Sequence, residues 1–307
     1  NKNNINFSII TSSDQSKYLK NFNHKVFNKV DKKFKIYVKK NYNIDKTLFV
    51  SLGSRLIFKE KDIKNFFKNN LINFHATRLP YDSGGASTSW KIMKNDRIDN
   101  QLVHLVDSGI DTGPILSSYN SVIPKEFQTP SEIDEFSRNN FLSFFKKFIL
   151  KIKKFKRLKL INQPKFLGNY NPRLSSIFNG WINWDTSSYN LLNFINAFED
   201  PYGGAQTQIN GKTVKLKKVQ LHGGEVPGHP YMAGLIARHD KNWIIVNTID
   251  NNKLIIEKVL SSRNKNIISE LRVGDRFITT PKNLIKSKKR FKYSSKGLKA
   301  SAKRTKK

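Results

Sequence analysis

The chain has 307 residues, 37% hydrophobic and 12% aromatic, enough to fold as one large or two smaller domains and too apolar for a disordered, collagen-like or low-complexity polymer. It has no cysteine, which excludes a disulfide framework, a thiol nucleophile and a zinc–thiolate centre and makes a reducing, cytoplasmic compartment the default expectation. Against 23 acidic residues stand 56 Lys and Arg, a formal charge of +33; this reflects either a general composition bias or a nucleic-acid partner, and only its distribution separates the two.

In chain order, residues 7–12 read as a strand and residues 47–52 as another. Residues 60–69 read as a helix, residues 71–75 as a strand and residues 101–106 as a strand again. This alternation predicts an α/β domain with a parallel sheet flanked by helices. Between residues 141 and 160, Phe144, Phe145, Phe148, Ile149, Ile152 and Phe155 recur at helical spacing, with Lys and Arg between them. That is an amphipathic helix that docks on a sheet and shows its charges to water; membrane or RNA contact is the alternative use of such a face. Residues 162–176, rich in Asn, Pro and Gly, read as a linker. Beyond it, residues 181–198 suit a short strand or turn and then a helix. Five β-prone runs follow (205–209, 214–220, 233–239, 243–248 and 254–259), separated by Gly- or Asn-rich turns, and predict a small β-barrel or sandwich. From Lys286 to Lys307 there are 11 basic residues and no acid, which predicts a disordered basic arm, either solvated or in contact with RNA or an anionic surface. The expected division is 1–161 for the first domain, 162–178 for the linker, 179–285 for the second domain and 286–307 for the tail. No apolar run approaches the roughly 18 residues that a membrane span needs.

Two short motifs carry the chemistry. Asn73-Phe74-His75 ends a predicted strand, where residues two apart share a face, so the Asn73 amide and the His75 imidazole sit side by side. In open α/β sheets the carboxyl ends of strands are where ligands bind. Asp107-Ser108-Gly109-Ile110-Asp111-Thr112-Gly113-Pro114 follows the strand 101–106, and its glycines allow a tight loop that aims Asp111 inward. An amide N–H and an imidazolium can stabilise an oxyanion, His is the natural general base near neutral pH, and a nearby carboxylate is expected to raise the pKa of that His and fix its orientation. No Ser or Cys is placed for covalent work, so the nucleophile would come from the substrate. The same signals also fit a structural histidine and an ordinary turn. No metal is expected, because the other five His residues are scattered without ligand spacing.

Asn73-Phe74-His75 with Leu79-Pro80, Gly84 and Gly85, followed by Asp111-Thr112-Gly113, resembles the folate-dependent formyltransferases. That family includes methionyl-tRNA formyltransferase, the nucleotide-sugar N-formyltransferases and glycinamide ribonucleotide formyltransferase. The stretch from Leu48 to Ile57 resembles the strand and loop that line its folate pocket. Gly180-Trp181-Ile182-Asn183-Trp184 and Phe198-Glu199-Asp200-Pro201-Tyr202-Gly203-Gly204-Ala205 resemble the start of its C-terminal domain. Gly234-Leu235-Ile236 and Val273-Gly274-Asp275-Arg276-Phe277 resemble that domain's later strands, so the likeness covers residues 47–281.

The resemblance implies a Rossmann-like catalytic domain with a mostly parallel sheet, followed by a small OB-like β-barrel. It implies one-carbon transfer from 10-formyltetrahydrofolate to an amine, with Asn73, His75 and Asp111 as the catalytic residues. Gly53, Ser54, Arg55, Leu56, Ile57, Asp107, Gly109 and Ile110 would hold the cofactor, largely through backbone groups. Family members often pair, so a homodimer is a further expectation. Two departures bear on the acceptor. The early basic insertion of the methionyl-tRNA enzymes is not found near residues 12–18. The text after His75 reads Ala-Thr-Arg-Leu-Pro rather than the Ser-Leu-Leu-Pro of those enzymes. Both favour an amino group on a nucleotide-linked sugar; methionyl-tRNA is the alternative, and a catalytically inactive RNA-binding or scaffold relative is a third reading.

Overall fold

The computed structural model describes residues 5–54, 58–154, 159–164, 166–223, 226–290, 292–294 and 297–299. The N-terminal part opens with β1 (Ile9–Thr11), α1 (Ser13–Ser16) and β2 (His24–Val26), the two strands pairing in parallel. Next comes α2 (Lys32–Asn41), whose first turn is capped by the Asp31 side chain accepting from the Phe34 N–H at 3.0 Å. The helix buries Phe34 and Val38 against Phe66, Phe67 and Leu71.

The main sheet is built from β3 (Phe49–Leu52), β4 (Leu71–His75), β6 (Ile98–Leu105) and β7 (Ile115–Val122), in the order β3-β4-β6-β7. Between β3 and β4 lies α3 (Glu60–Asn65), shorter than the expected 60–69 because Lys68 and Asn69 turn to positive φ. Between β4 and β6 lie the short β5 (Asp82–Gly84) and α4 (Ser87–Met93).

The expectation of a mostly parallel sheet is corrected. Only β3 and β4 run parallel; β4–β6 and β6–β7 are antiparallel. A parallel neighbour needs a crossover, which the α3 segment provides, whereas the loop 106–114 can only turn back as a hairpin. The helix α4 packs on α5 (Pro130–Lys154) and on a helix of the second domain instead of crossing the sheet. The expected amphipathic helix is, as far as Lys154, the second half of α5; Phe155 lies outside the described residues. Its Phe144 and Phe148 are buried with Ile72, Phe74, Val103 and Leu116, so its apolar face is spent on the sheet. Among the described residues no helix is long and apolar enough to cross a membrane.

The expected linker is also corrected. Its residues Asn169–Asn171 form β8, which pairs in parallel with β5, and Ile161 bridges Ile115. The segment is laced onto the first domain by backbone hydrogen bonds.

The second part contains α6 (Ser176–Asn179), α7 (Ser188–Ala197) and five antiparallel strands: β9 (Ala205–Ile209), β10 (Lys212–His222), β11 (Ile236–His239), β12 (Ile244–Asn247) and β13 (Lys253–Leu260). Their order is β11-β12-β13-β10-β9. The β9–β10 hairpin turns on Asn210 and Gly211, both at positive φ (49° and 74°), as a tight two-residue turn of this chemistry requires. Two single bridges, Gln208↔Ile278 and Leu235↔Arg276, set one segment against both ends of this sheet, but no continuous ladder closes it into a barrel among the described residues. Its core is shared with the first domain: Ile92, Ile123 and Ile133 pack in the same cluster as Ile195, Phe198, Leu216 and Ile256.

Then α8 (Pro281–Ser287) leads to β14 (Lys292–Ser294) and β15 (Gly297–Lys299), an antiparallel pair. The described part of the expected disordered arm thus carries regular structure. Arg290 ties its start to the first domain, donating to the Tyr170 hydroxyl at 3.0 Å and lying over the Tyr170 ring.

Candidate active site

The strand β4 places Asn73 and His75 on one face and buries Phe74 on the other. The antiparallel register pairs Asn73 with His104 of β6, so that second imidazole arrives on the same face. Asn73 Nδ2 lies 3.2 Å from His104 Nε2, and His104 Nδ1 lies 2.7 Å from the Leu105 carbonyl oxygen. One tautomer satisfies both contacts: Nδ1 donates to Leu105 and Nε2 accepts from Asn73.

Asp111 comes from the β6–β7 hairpin loop. Asp107 folds that loop by accepting from the Gly109 N–H at 3.1 Å and the Thr112 hydroxyl at 2.7 Å. Asp111 itself sits at φ 58°, a region that Asp tolerates better than most residues. Its Oδ2 accepts the Gly84 N–H at 3.1 Å. Its Oδ1 is turned to the histidines, 3.5 Å from His75 Nδ1 and 3.9 Å from His104 Nε2. From the expected linker, Gln163 Nε2 donates to the carbonyls of Asp111 and Gly113 at 3.0 and 2.6 Å. The His75 side chain is 23% exposed and that of His104 only 3%, so His75 is the imidazole that a substrate can reach.

Burial holds the His75 imidazole below its ordinary pKa. The Asp111 carboxylate pulls it upward, while His104, Arg173 and Lys91 push it further down. The carboxylate raises this pKa as expected, but the net shift is downward, because desolvation of the charged ring outweighs one carboxylate. His104 is lowered for the same leading reason, against the pull of the Leu105 carbonyl and of Asp111. Both rings are neutral near neutral pH. The buried His75 Nδ1 has no hydrogen-bond partner among the described residues.

The expected cofactor residues divide. Gly53 is at φ 56°, and a Cβ there would meet nothing among the described residues within 4 Å. Ser54 follows it, half-buried. Arg55, Leu56 and Ile57 lie outside the described residues. Asp107 and Gly109 shape the loop, and Ile110 is exposed at its tip.

Three residues near the site escaped the sequence reading: His104, Gln163 and Arg173. Arg173 lies against Gly85, with no room for a Cβ between them, and its charge reaches His75. The alternation along β6 marks His104 as facing one side of the sheet. Its partner across the sheet is a matter of register, and nothing local announces register.

Gly84 is where close approach and backbone conformation coincide. It is at φ 104°, and a Cβ would collide with the Asn171 carbonyl oxygen of β8. Gly84→Ala is expected to destabilise the protein by roughly 2–4 kcal/mol through positive-φ strain and overpacking. It should also release Asp111 and lower turnover. Thermal unfolding with a rate assay checks this; an unchanged melting temperature would mean that β5 and β8 are not in contact.

Residues 178–271 match the family model described as formyl transferase, C-terminal domain. The methionyl-tRNA formyltransferase of Clostridium acetobutylicum is 28% identical over 199 residues, covering 65% of this chain and 62% of that protein. That of Thermodesulfovibrio yellowstonii is 28% identical over 214 residues, covering 68% of this chain and 63% of that protein. The chain thus aligns with under two thirds of the length of these two relatives. Among solved structures, the N-formyltransferase of Helicobacter canadensis, described in complex with folinic acid and dTDP-3-aminofucose, has a TM-score of 0.60 at 23% identity, covering 78% of this chain and 81% of that one. WlaRD, described as a sugar 3N-formyl transferase with dTDP and 5-N-formyl-THF, has a TM-score of 0.61 at 22% identity, covering 83% and 90%. The fold is that of the formyltransferases. Residues 178–271 match the formyl transferase C-terminal domain, and the sequence relatives are methionyl-tRNA formyltransferases.

Proposed function

We propose that this chain is an N-formyltransferase that moves a formyl group from 10-formyltetrahydrofolate to the primary amine of a nucleotide-linked amino sugar. The observation that carries the reading is the convergence of Asn73, His75 and Asp111 at the carboxyl end of β4, with the exposed imidazole held neutral. The open space at Gly53 and the exposed Ile110 fit a flat cosubstrate approaching between two loops. When bound, that cosubstrate supplies an electrophilic formyl carbon and a tetrahydrofolate leaving group.

The residues divide the remaining work. His75 Nδ1 faces Asp111, so Nε2, on the opposite side of the ring, is the atom that takes the proton of the attacking amine. Asp111 stabilises the imidazolium that forms. The Gly84 N–H and Gln163 hold the carboxylate and its loop in place. Asn73 uses one N–H on His104 and has a second to donate to the developing oxyanion.

The acceptor reading rests on the altered text after His75, on the basic insertion not found near residues 12–18, and on structural neighbours described as sugar formyltransferases. Arg173 adds a cation beside the site that suits an acceptor carrying phosphate. Methionyl-tRNA is the second reading, favoured by the described activity of the sequence relatives and by the charge of +33. Formyl transfer to nucleotide-linked amino sugars and to methionyl-tRNA, compared at low and high salt, separates the two. Turnover of the sugar with weak salt dependence supports the first reading, and turnover of tRNA with steep salt loss replaces it.

A pH profile tests the base. Only neutral His75 can accept a proton, so activity is full above its folded pKa and falls as pH drops through it. Because burial places that pKa below the ordinary value of about 6.5, the acid limb of kcat should lie below that pH. An acid limb at or above it would show that the carboxylate outweighs burial.

A further inference from the structure

We propose that His75, His104 and Asp111 form a binding site for one divalent transition-metal ion of the zinc class, and that occupation of this site switches off the base. Each of the three residues offers a ligand atom, and these atoms all lie within 4.8 Å of one another. Two imidazoles and one carboxylate are a donor set that suits zinc and its neighbours in the first transition row. Among the described residues this is the one group of three such side chains that converges.

The donors are also oriented. His104 gives its Nδ1–H to the Leu105 carbonyl, which leaves the ring's lone pair on Nε2, 3.9 Å from Asp111 Oδ1. The Gly84 N–H holds Oδ2 of Asp111 and leaves Oδ1 facing both rings. His75 Nδ1 is buried and lacks a hydrogen-bond partner among the described residues. A backbone carbonyl behind a ligating His and a hydrogen bond behind a ligating carboxylate are the supports that metal sites use.

Around tetrahedral zinc, with bonds of about 2.1 Å, neighbouring ligand atoms stand about 3.4 Å apart. The distances of 3.5 and 3.9 Å from Asp111 Oδ1 to the two rings therefore need a small contraction, and the two ring nitrogens, within 4.8 Å of each other, a larger one. The ion takes the lone pair of His104 Nε2, so the Asn73 hydrogen bond to that atom is given up. The positive charges of Arg173 and Lys91 near His75 oppose a cation, which sets the expected affinity at micromolar rather than nanomolar.

The consequence for chemistry follows from the tautomer. With the metal on Nδ1, the proton of the neutral His75 ring resides on Nε2. That nitrogen then has no lone pair with which to accept the amine proton, and Asp111 is no longer available to stabilise an imidazolium. Inhibition rests on the catalytic reading given above, whereas metal binding does not.

The test is a titration of Zn2+ into chelator-treated protein by calorimetry, repeated with Co2+ to read its visible absorption. One ion per chain is expected, with a cobalt band of a four- or five-coordinate site. His104→Ala and His104→Gln should each weaken binding at least tenfold while circular dichroism confirms the fold, and His222→Ala should leave it unchanged. In the same zinc range formyl transfer should fall and return with chelator. No binding at millimolar metal, or binding unaffected in both His104 variants, overturns the site. Binding as described in a protein that formylates no acceptor would leave the site standing and sink the catalytic reading instead.

Discussion

His75→Ala is expected to lower kcat for formyl transfer by about 10²- to 10⁴-fold, the range that a positioned general base contributes. The ring is the more accessible imidazole of the cluster, 23% exposed, and its partial burial lowers its pKa. Its loss removes the proton acceptor and leaves Asp111 facing His104, whose side chain is only 3% exposed and whose Nε2 is engaged by Asn73. His104 therefore cannot substitute. Binding of tetrahydrofolate should survive, since the residues expected to hold it lie at Gly53, Ser54 and the 107–110 loop. The melting temperature should move little, because the side chain makes no close hydrogen bond that the fold depends on. Single-turnover rates with a matched folate titration give the result. A rate within about threefold of the parent would remove His75 from the chemistry, since even the low end of the general-base range is larger.

The second large effect is on stability. Phe74→Ala should destabilise the protein by about 3–5 kcal/mol, the usual cost of emptying a buried aromatic site. Phe74 is 6% exposed, and its ring centroid lies 5.8, 5.9, 5.0 and 5.4 Å from those of Phe141, Phe144, Phe145 and Phe148. Edge-on and tilted pairs of this kind add to the burial of area. The residue also lies between Asn73 and His75, so the packing of α5 on Phe74 is what holds the two polar neighbours toward the site. Turnover of the folded fraction should therefore fall as well, while Phe74→Leu should recover much of the stability. Urea unfolding of the three proteins measures this. A loss below about 1 kcal/mol for alanine would mean that α5 does not rest on β4, since a filled aromatic core site cannot be emptied so cheaply.

Much of the candidate site's arrangement was readable because its causes are local. Asn73 and His75 are two apart on a strand that both reading and structure bound at 71–75, and a period of two needs no knowledge of the rest of the chain. Asp111 was readable as a residue in a glycine-flanked turn. The turn at Asn210-Gly211 and the helix carrying Phe144 and Phe148 are local signals of the same kind. His104 was not readable, since it meets Asn73 across 31 residues of sequence through strand register. Residues 162–164 and 169–171 looked like a linker because Asn, Pro and Gly dominate there. Composition does not reveal that Gln163 will be placed under the Asp111 loop, nor that Asn169–Asn171 will pair with β5.

The sequence by itself therefore determined the α/β class of the first part, and the presence of an Asn–His pair on one strand and an Asp on a loop nearby. Each follows from periodicity, turn chemistry or residue type within a few positions. The tertiary structure alone decided the directions of the strands, the open order of the second sheet, the arrival of His104 and the neutral state of His75. These depend on which distant segments pack together. Strand direction depends on whether the connecting helix crosses the sheet, and α4 goes elsewhere. The protonation of an imidazole depends on all the atoms that exclude water from it, and at His75 that exclusion outweighs the one carboxylate that the sequence placed beside it.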